Sequence, residues 1–141
     1  YFIPLLHQRA TVAADMGAFD EAIRTMESAI RKAPHDPISH YLMGQLLRQA
    51  YSQLPNASPQ LVPLAQAYFK QAIHYNKDGH LIPYAYFYVG TELYNNQTDD
   101  VTAKRYLTMF IVQLKLQKGD NLQRHDREYI NFAQQMLSYL T

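Results

Sequence analysis

The sequence contains no cysteine, which removes disulfides, thiolate metal sites and thiol chemistry together and suits a reducing or an oxidising compartment equally well. Localisation is therefore left open. Neither sign of charge is in excess. Thirteen Lys and Arg stand against twelve Asp and Glu, a net of +1, and no basic stripe gathers the cations locally, so a nucleic-acid partner is not expected. Long apolar runs are missing too: the longest mostly apolar stretch, Tyr106 to Leu114, lies between Arg105 and Lys115. It falls far short of the roughly 20 residues of a membrane helix, so direct membrane insertion of this segment is not expected and it reads as a soluble domain. Strict apolar–polar alternation, the mark of a half-buried strand, is absent. So are an initiator methionine and any signal-peptide pattern, which reads as the edge of an excised or processed segment.

What is present is an apolar chain: 48% of the 141 residues are apolar and 18% charged, against roughly 25% charged in a typical domain. That composition is incompatible with disorder and supplies one core, hence a single domain over residues 1–141. Apolar residues recur at helical spacing almost throughout, with the prolines and glycines mostly between the periodic segments, so the fold class is all-α. A first helix runs over residues 4–16, with Leu6, Ala10, Ala13 and Ala14 on one face, and stops at Gly17. Asp20 is expected to cap a second helix, which Pro34 terminates. Asp36-Pro37 opens a third that runs to Gln53. Leu54-Pro55-Asn56-Ala57-Ser58-Pro59 bars regular structure. A fourth helix begins around Pro63 and ends at Gly79, a fifth covers residues 83–94, a sixth residues 99–117, and a last one residues 123–140.

These helices repeat. The segment Leu6-x2-Arg9-Ala10-x2-Ala13, Gly17, Phe19, Ala22-x3-Met26-x2-Ala29 and Pro34 returns as His40-x2-Met43-Gly44-x2-Leu47 with Ala65-x3-Phe69-x2-Ala72. It returns again as Tyr86-x2-Val89-Gly90-x2-Leu93 with Ala103-x3-Leu107-x2-Phe110. Ala10 to Gly44 is 34 residues and Ala10 to Ala22 is 12, whereas Gly44 to Ala65 is 21, which places about nine extra residues at Ser52 to Gln60. The pattern resembles the tetratricopeptide repeat, over about residues 3–116. It departs from that family in lacking a tryptophan, in placing Phe110 where a small residue belongs, and in lacking the closing proline of the second and third copies. The resemblance implies an α–α superhelix of three hairpins, residues 3–36, 37–79 with an inserted loop at 52–60, and 83–117, closed by a capping helix at 121–141. That cap is expected to bury Tyr129, Ala133, Met136, Leu137 and Leu140 against Leu107, Phe110, Ile111 and Leu114.

The residues that invite chemistry have simpler readings. None of the six histidines is spaced i, i+4 on one helix, so no metal site is expected. Asp20-Glu21 and Asp99-Asp100 fall where helices begin and suit the positive end of a helix dipole. No nucleophile elbow, Gly-rich phosphate loop or zinc-protease motif occurs, so neither catalysis nor a cofactor is expected. Asn56-Ala57-Ser58 and Asn96-Gln97-Thr98 match the glycosylation acceptor tripeptide, too loose a pattern to carry weight. Two features remain: from Tyr41 to Phe69 the only charged side chain is Arg48, and helix five is crowded with Tyr84, Tyr86, Phe87, Tyr88 and Tyr94. Part of the neutral stretch is expected to be covered.

In tetratricopeptide proteins the first helix of each hairpin lines a concave groove that holds a peptide or a partner helix. Here the resemblance implies a groove formed by His7, Thr11 and Ala14, then Tyr41, Gln45 and Arg48, then Tyr84, Phe87, Thr91 and Tyr94. Tyrosine and arginine dominate binding energy at interfaces, which ranks this face first. It lacks the Lys- and Asn-rich lining that grips a C-terminal carboxylate in chaperone-binding members. The expected function is a non-catalytic protein-interaction scaffold with a protein or peptide partner. One alternative is a regulatory or substrate-docking soluble domain of a larger enzyme, membrane-bound ones such as a bacterial glycan ligase or polymerase included, motivated only by the start without a methionine at the hydrophobic Tyr1-Phe2-Ile3. A second is self-association through the neutral face.

Overall fold

The computed structural model describes residues 2–141, and Tyr1, where the sequence reading begins the domain, lies outside them. The described residues form α1 (Phe2–Asp15), α2 (Phe19–Lys32), α3 (Pro37–Gln53), α4 (Leu61–Tyr75), α5 (Pro83–Asn96), α6 (Asp100–Lys118) and α7 (Arg124–Leu140), with one 3-10 turn at Gly119–Asn121 and no strand. The fold is all-α, as periodicity demands.

The helix ends follow local chemistry. Gly17 adopts a positive φ of 81°, and the bonds from Gly17 N to Ala14 O and from Ala18 N to Ala13 O close α1 in a Schellman motif. That motif delivers the chain into α2 at Ala18, which takes the N-cap position without a side-chain bond. Asp20 is therefore not the cap: it lies with Glu21 in the first turn, where both favour the helix dipole. Asp36 caps α3 by accepting from Ile38 N at 3.0 Å, with Pro37 as the first helical residue. Asp99 caps α6 through Thr102 N and the Thr102 hydroxyl, bonds that hold its carboxyl below the usual range. Helix α4 stops at Tyr75, short of the expected Gly79. The Asn76 side chain both donates to His80 O and accepts from His80 N, offering the backbone a turn in place of another helical one. The segment from Leu54 to Gln60 is a largely exposed excursion, while Ser52 and Gln53 remain in α3.

The helices divide between two compact units, one ending at His80 and the other covering Leu81–Thr141. In the first, α1 pairs with α2 and α3 with α4, while α3 packs on the α1/α2 hairpin. Ala10, Ala22, Ala29, Ala65 and Ala72 are fully buried, and so are the bulky Met26 and Phe69. The bonds joining α1 to α3 run from His7 to Ser39 and from Gln49 to Ala14 and Asp15, 32 to 35 residues apart in sequence. Since they advance along both helices together, α1 and α3 lie parallel, displaced by one repeat.

In the second unit α5 pairs with α6, and α7 packs on α6 and reaches α5, as α3 does on its preceding hairpin. Tyr129-x2-Phe132-Ala133-x2-Met136 follows the spacing of Tyr86-x2-Val89-Gly90-x2-Leu93, and Ala133 is fully buried. Helix α7 is thus laid down like a further first helix. Its buried line differs from the expected stripe: Asp126 and Ile130 join Ala133 inside, while Tyr129, Met136, Leu137 and Leu140 are only half-buried.

The two small first-helix positions are unequally tight. A Cβ built on Gly44 would meet the Phe69 ring at 2.6 Å, whereas one on Gly90 would meet Leu107 and Tyr106 at 3.2 Å. Phe69 is wholly buried and has no solvent into which to swing. Gly44→Ala is expected to destabilise by about 1–3 kcal/mol through overpacking, despite the roughly 1 kcal/mol that Ala gains as a helix former. Gly90→Ala should cost less. Urea denaturation followed by circular dichroism checks both; equal midpoints for Gly44→Ala and the parent would show that Phe69 does not hold its place.

Candidate functional site

The expected groove residues lie on three helices in two units. In the first unit His7 and Thr11 stand on α1 and Tyr41, Gln45 and Arg48 on α3. Ser39 Oγ donates to Asp36 Oδ2 at 3.2 Å. Its single proton is then committed, so His7 Nε2 must donate to Ser39 Oγ, at 2.7 Å. The trio of His, Ser and Asp is not a catalytic arrangement, because the serine sits between its partners and is fully buried. It ties α1 to the capped start of α3. Thr11 donates to His7 O, and Gln45 donates to the Tyr41 hydroxyl at 3.1 Å. Tyr41 is buried, its ring 6.1 Å from that of Phe69. It belongs to the core rather than to a groove surface. Ala14 is buried as well, and Arg48 is half-buried.

In the second unit Tyr84 and Phe87 are also buried, against the expectation of an open face. Their rings pack with Phe110 at 5.2 and 4.9 Å and with Tyr129 at 5.5 and 4.9 Å. The reason is α7, which covers the start of α5, together with the large Phe110 where the other hairpins carry alanine. The departure at Phe110 was the one sequence signal that this end of helix five is core.

Beneath that aromatic cluster lies Asp126, which the sequence reading passed over. Its carboxylate is fully buried. It accepts from the Tyr84 hydroxyl at 2.5 Å, from Lys118 Nζ at 2.8 Å and from the Gln123 backbone at 2.9 Å, while Gln123 caps α7 in return. Burial works against its ionisation, but the bonds from Lys118, Tyr84 and Gln123 outweigh it and hold the carboxyl below its ordinary range. The cluster joins α5, α6 and α7 through one anion. The spacing Gln123-x-x-Asp126 ahead of an apolar run is the capping-box signal that could have found it.

Farther along α5, Thr91 and Tyr94 remain half-buried and face α7 across an open groove of about 390 Å³, with Phe87 at its base and Phe132, Met136 and Tyr139 on the far wall. Phe132 is 51% exposed and Tyr139 80%. The Thr91 hydroxyl is shielded and makes no hydrogen bond among the described residues. Three of the ten expected groove residues, Phe87, Thr91 and Tyr94, therefore come together in one concave place.

Two of the histidines serve packing: His35 stacks on Tyr75 at 4.7 Å, and His40 Nε2 bonds to Pro34 O at 2.7 Å. Among the described residues no three His, Cys, Asp or Glu side chains gather where a metal ion could sit, and no helix is long and apolar enough to cross a membrane. Comparison with family models, with curated proteins and with solved structures gives no match.

Two titrations follow. Burial lowers the His7 pKa below 6.5, outweighing the upward pull of Asp36. The unfolded chain thus takes up this proton first, and stability that is full above pH 6.5 declines as the pH falls below it. His7→Gln should flatten the fall in urea midpoint between pH 7 and pH 5.5; parallel curves would contradict the assignment. Asp126→Ala strands Lys118, the Tyr84 hydroxyl and Gln123 N, and should lower stability by about 3 kcal/mol in thermal or urea melts. A loss within about 0.5 kcal/mol, as for an ordinary surface site, would contradict the buried network.

Proposed function

We propose that the chain is a tetratricopeptide-like helical repeat acting as a non-catalytic interaction scaffold, and that it holds a peptide in the groove between α5 and α7. What supports the repeat is the burial of equivalent positions: Ala10, Gly44 and Gly90 on first helices, Ala22, Ala65 and Ala103 on second helices, with Met26, Phe69 and Leu107 between them. The single observation that carries the function is the α5/α7 groove itself. Exposed Phe132 and Tyr139 offer aromatic area for an apolar side chain, with the half-buried Tyr94 facing them. The first-unit residues His7, Thr11, Tyr41 and Gln45 are engaged in intramolecular bonds, which leaves the second unit as the better binding place.

Panning a random peptide library on the immobilised chain tests this. Enriched peptides should carry an apolar anchor and bind about tenfold more weakly, the loss of one interface anchor, to the Tyr94→Ala and Phe132→Ala variants. Absence of enrichment, or binding that ignores both substitutions, would remove the groove from consideration.

A further inference from the structure

A second surface lies on the other unit. Helix α1 and the turn that follows it set Phe2, Leu5, Arg9, Val12 and Met16 at alternating steps of three and four residues along an open groove of about 780 Å³, apolar but for Arg9 in its middle, with Glu21 at one end and Lys32 at the other. Leu5 is 56% exposed, Val12 51% and Met16 79%. The chain itself says what covers such a face. Shifted by the 34-residue repeat, Leu5, Val12 and Met16 become Ser39, Leu46 and Ala50 of α3, all buried, and α3 is the helix that packs on α1/α2 with α2 alongside it. The same face is therefore covered once and bare once.

We propose that the bare face of α1 docks an amphipathic helix from a partner protein, laid antiparallel to α1 as α2 lies to α3, with a carboxylate opposite Arg9. Two observations give this orientation independently. The repeat places the incoming helix with its N-terminus near Met16 and its C-terminus near Phe2. Glu21 stands at the Met16 end and Lys32 at the Phe2 end, which complements the dipole of a helix running that way. Arg9 selects the partner chemistry, since α3 carries the apolar Met43 at the equivalent position. It also argues against a second copy of this chain, because an antiparallel α1–α1 pair centred on the groove would set Arg9 against Arg9.

The probe is a helix-stapled peptide of the α2 sequence, Phe19–Lys32, added to the full chain and followed by fluorescence anisotropy. In an antiparallel pair joined by the turn at residues 33–36, Met26 lies level with Met43, so peptides bearing Met26→Glu or Met26→Lys place a charge opposite Arg9. The Met26→Glu peptide should bind about fivefold more tightly than the Met26→Lys peptide, the size of a good surface ion pair. The order should reverse on an Arg9→Glu chain, and Val12→Glu, an exposed substitution that leaves the dichroism spectrum unchanged, should abolish both. Failure of either peptide to bind, binding that is indifferent to the charge swap, dimerisation abolished by Val12→Glu in sedimentation, or binding of the chain to anionic lipid vesicles instead would each overturn the proposal.

Discussion

The closest constraint in the molecule is the ring of Phe69 against the bare backbone of Gly44. A helical hairpin brings its two axes closest where one helix offers a small side chain or none, and a bulky apolar group of the partner then fills the space. Two hairpins show the approach directly, Phe69 on Gly44 and Leu107 on Gly90, and in the first hairpin Ala10 and Met26 hold the equivalent positions and are both buried. Because the small residue fixes the rotation of its helix, it also decides which residues point outward. The rest of the first unit follows. His7 reaches Ser39, and Gln49 reaches the end of α1, only because the first helices lie parallel at one repeat's displacement.

The second unit adds a charge to this scheme. Asp126 is a buried anion held by Lys118, Tyr84 and the backbone of Gln123. Such a group contributes little to stability on balance but makes any other seating of the helix costly, since each donor would lose its partner inside an apolar cluster. It docks α7 on α5 and α6 in one arrangement. The open groove beyond Thr91 lies past the end of α5 that the aromatic cluster fills.

Helix number, type and order were legible in the sequence because proline, glycine and capping residues punctuate a strong helical period. Small positions such as Ala22 and Gly44 were legible from spacing alone. What escaped was anything decided by which neighbour covers a helix. Tyr41, Tyr84 and Phe87 look like surface residues when packing positions are subtracted, yet α7 and the Phe110 ring enclose two of them and the α3/α4 packing encloses the third. Asp126 escaped because a lone carboxylate in a helix's first turn is ordinarily solvated. Asp20 was misplaced by two residues, because the Schellman closure of α1 rather than a side chain starts α2.

The first unit rests on the interlock of Phe69 with Gly44, and a double-mutant cycle measures it directly. Phe69→Leu alone should destabilise by leaving a cavity, and Gly44→Ala alone by overpacking. Combined, the smaller side chain makes room for the methyl group, so the Gly44→Ala/Phe69→Leu chain should be no less stable than Phe69→Leu alone, with a coupling of about 1–3 kcal/mol in urea melts. Strict additivity of the two losses would mean that the ring and the glycine do not meet, and would contradict the packing from which the rest of the fold has been derived.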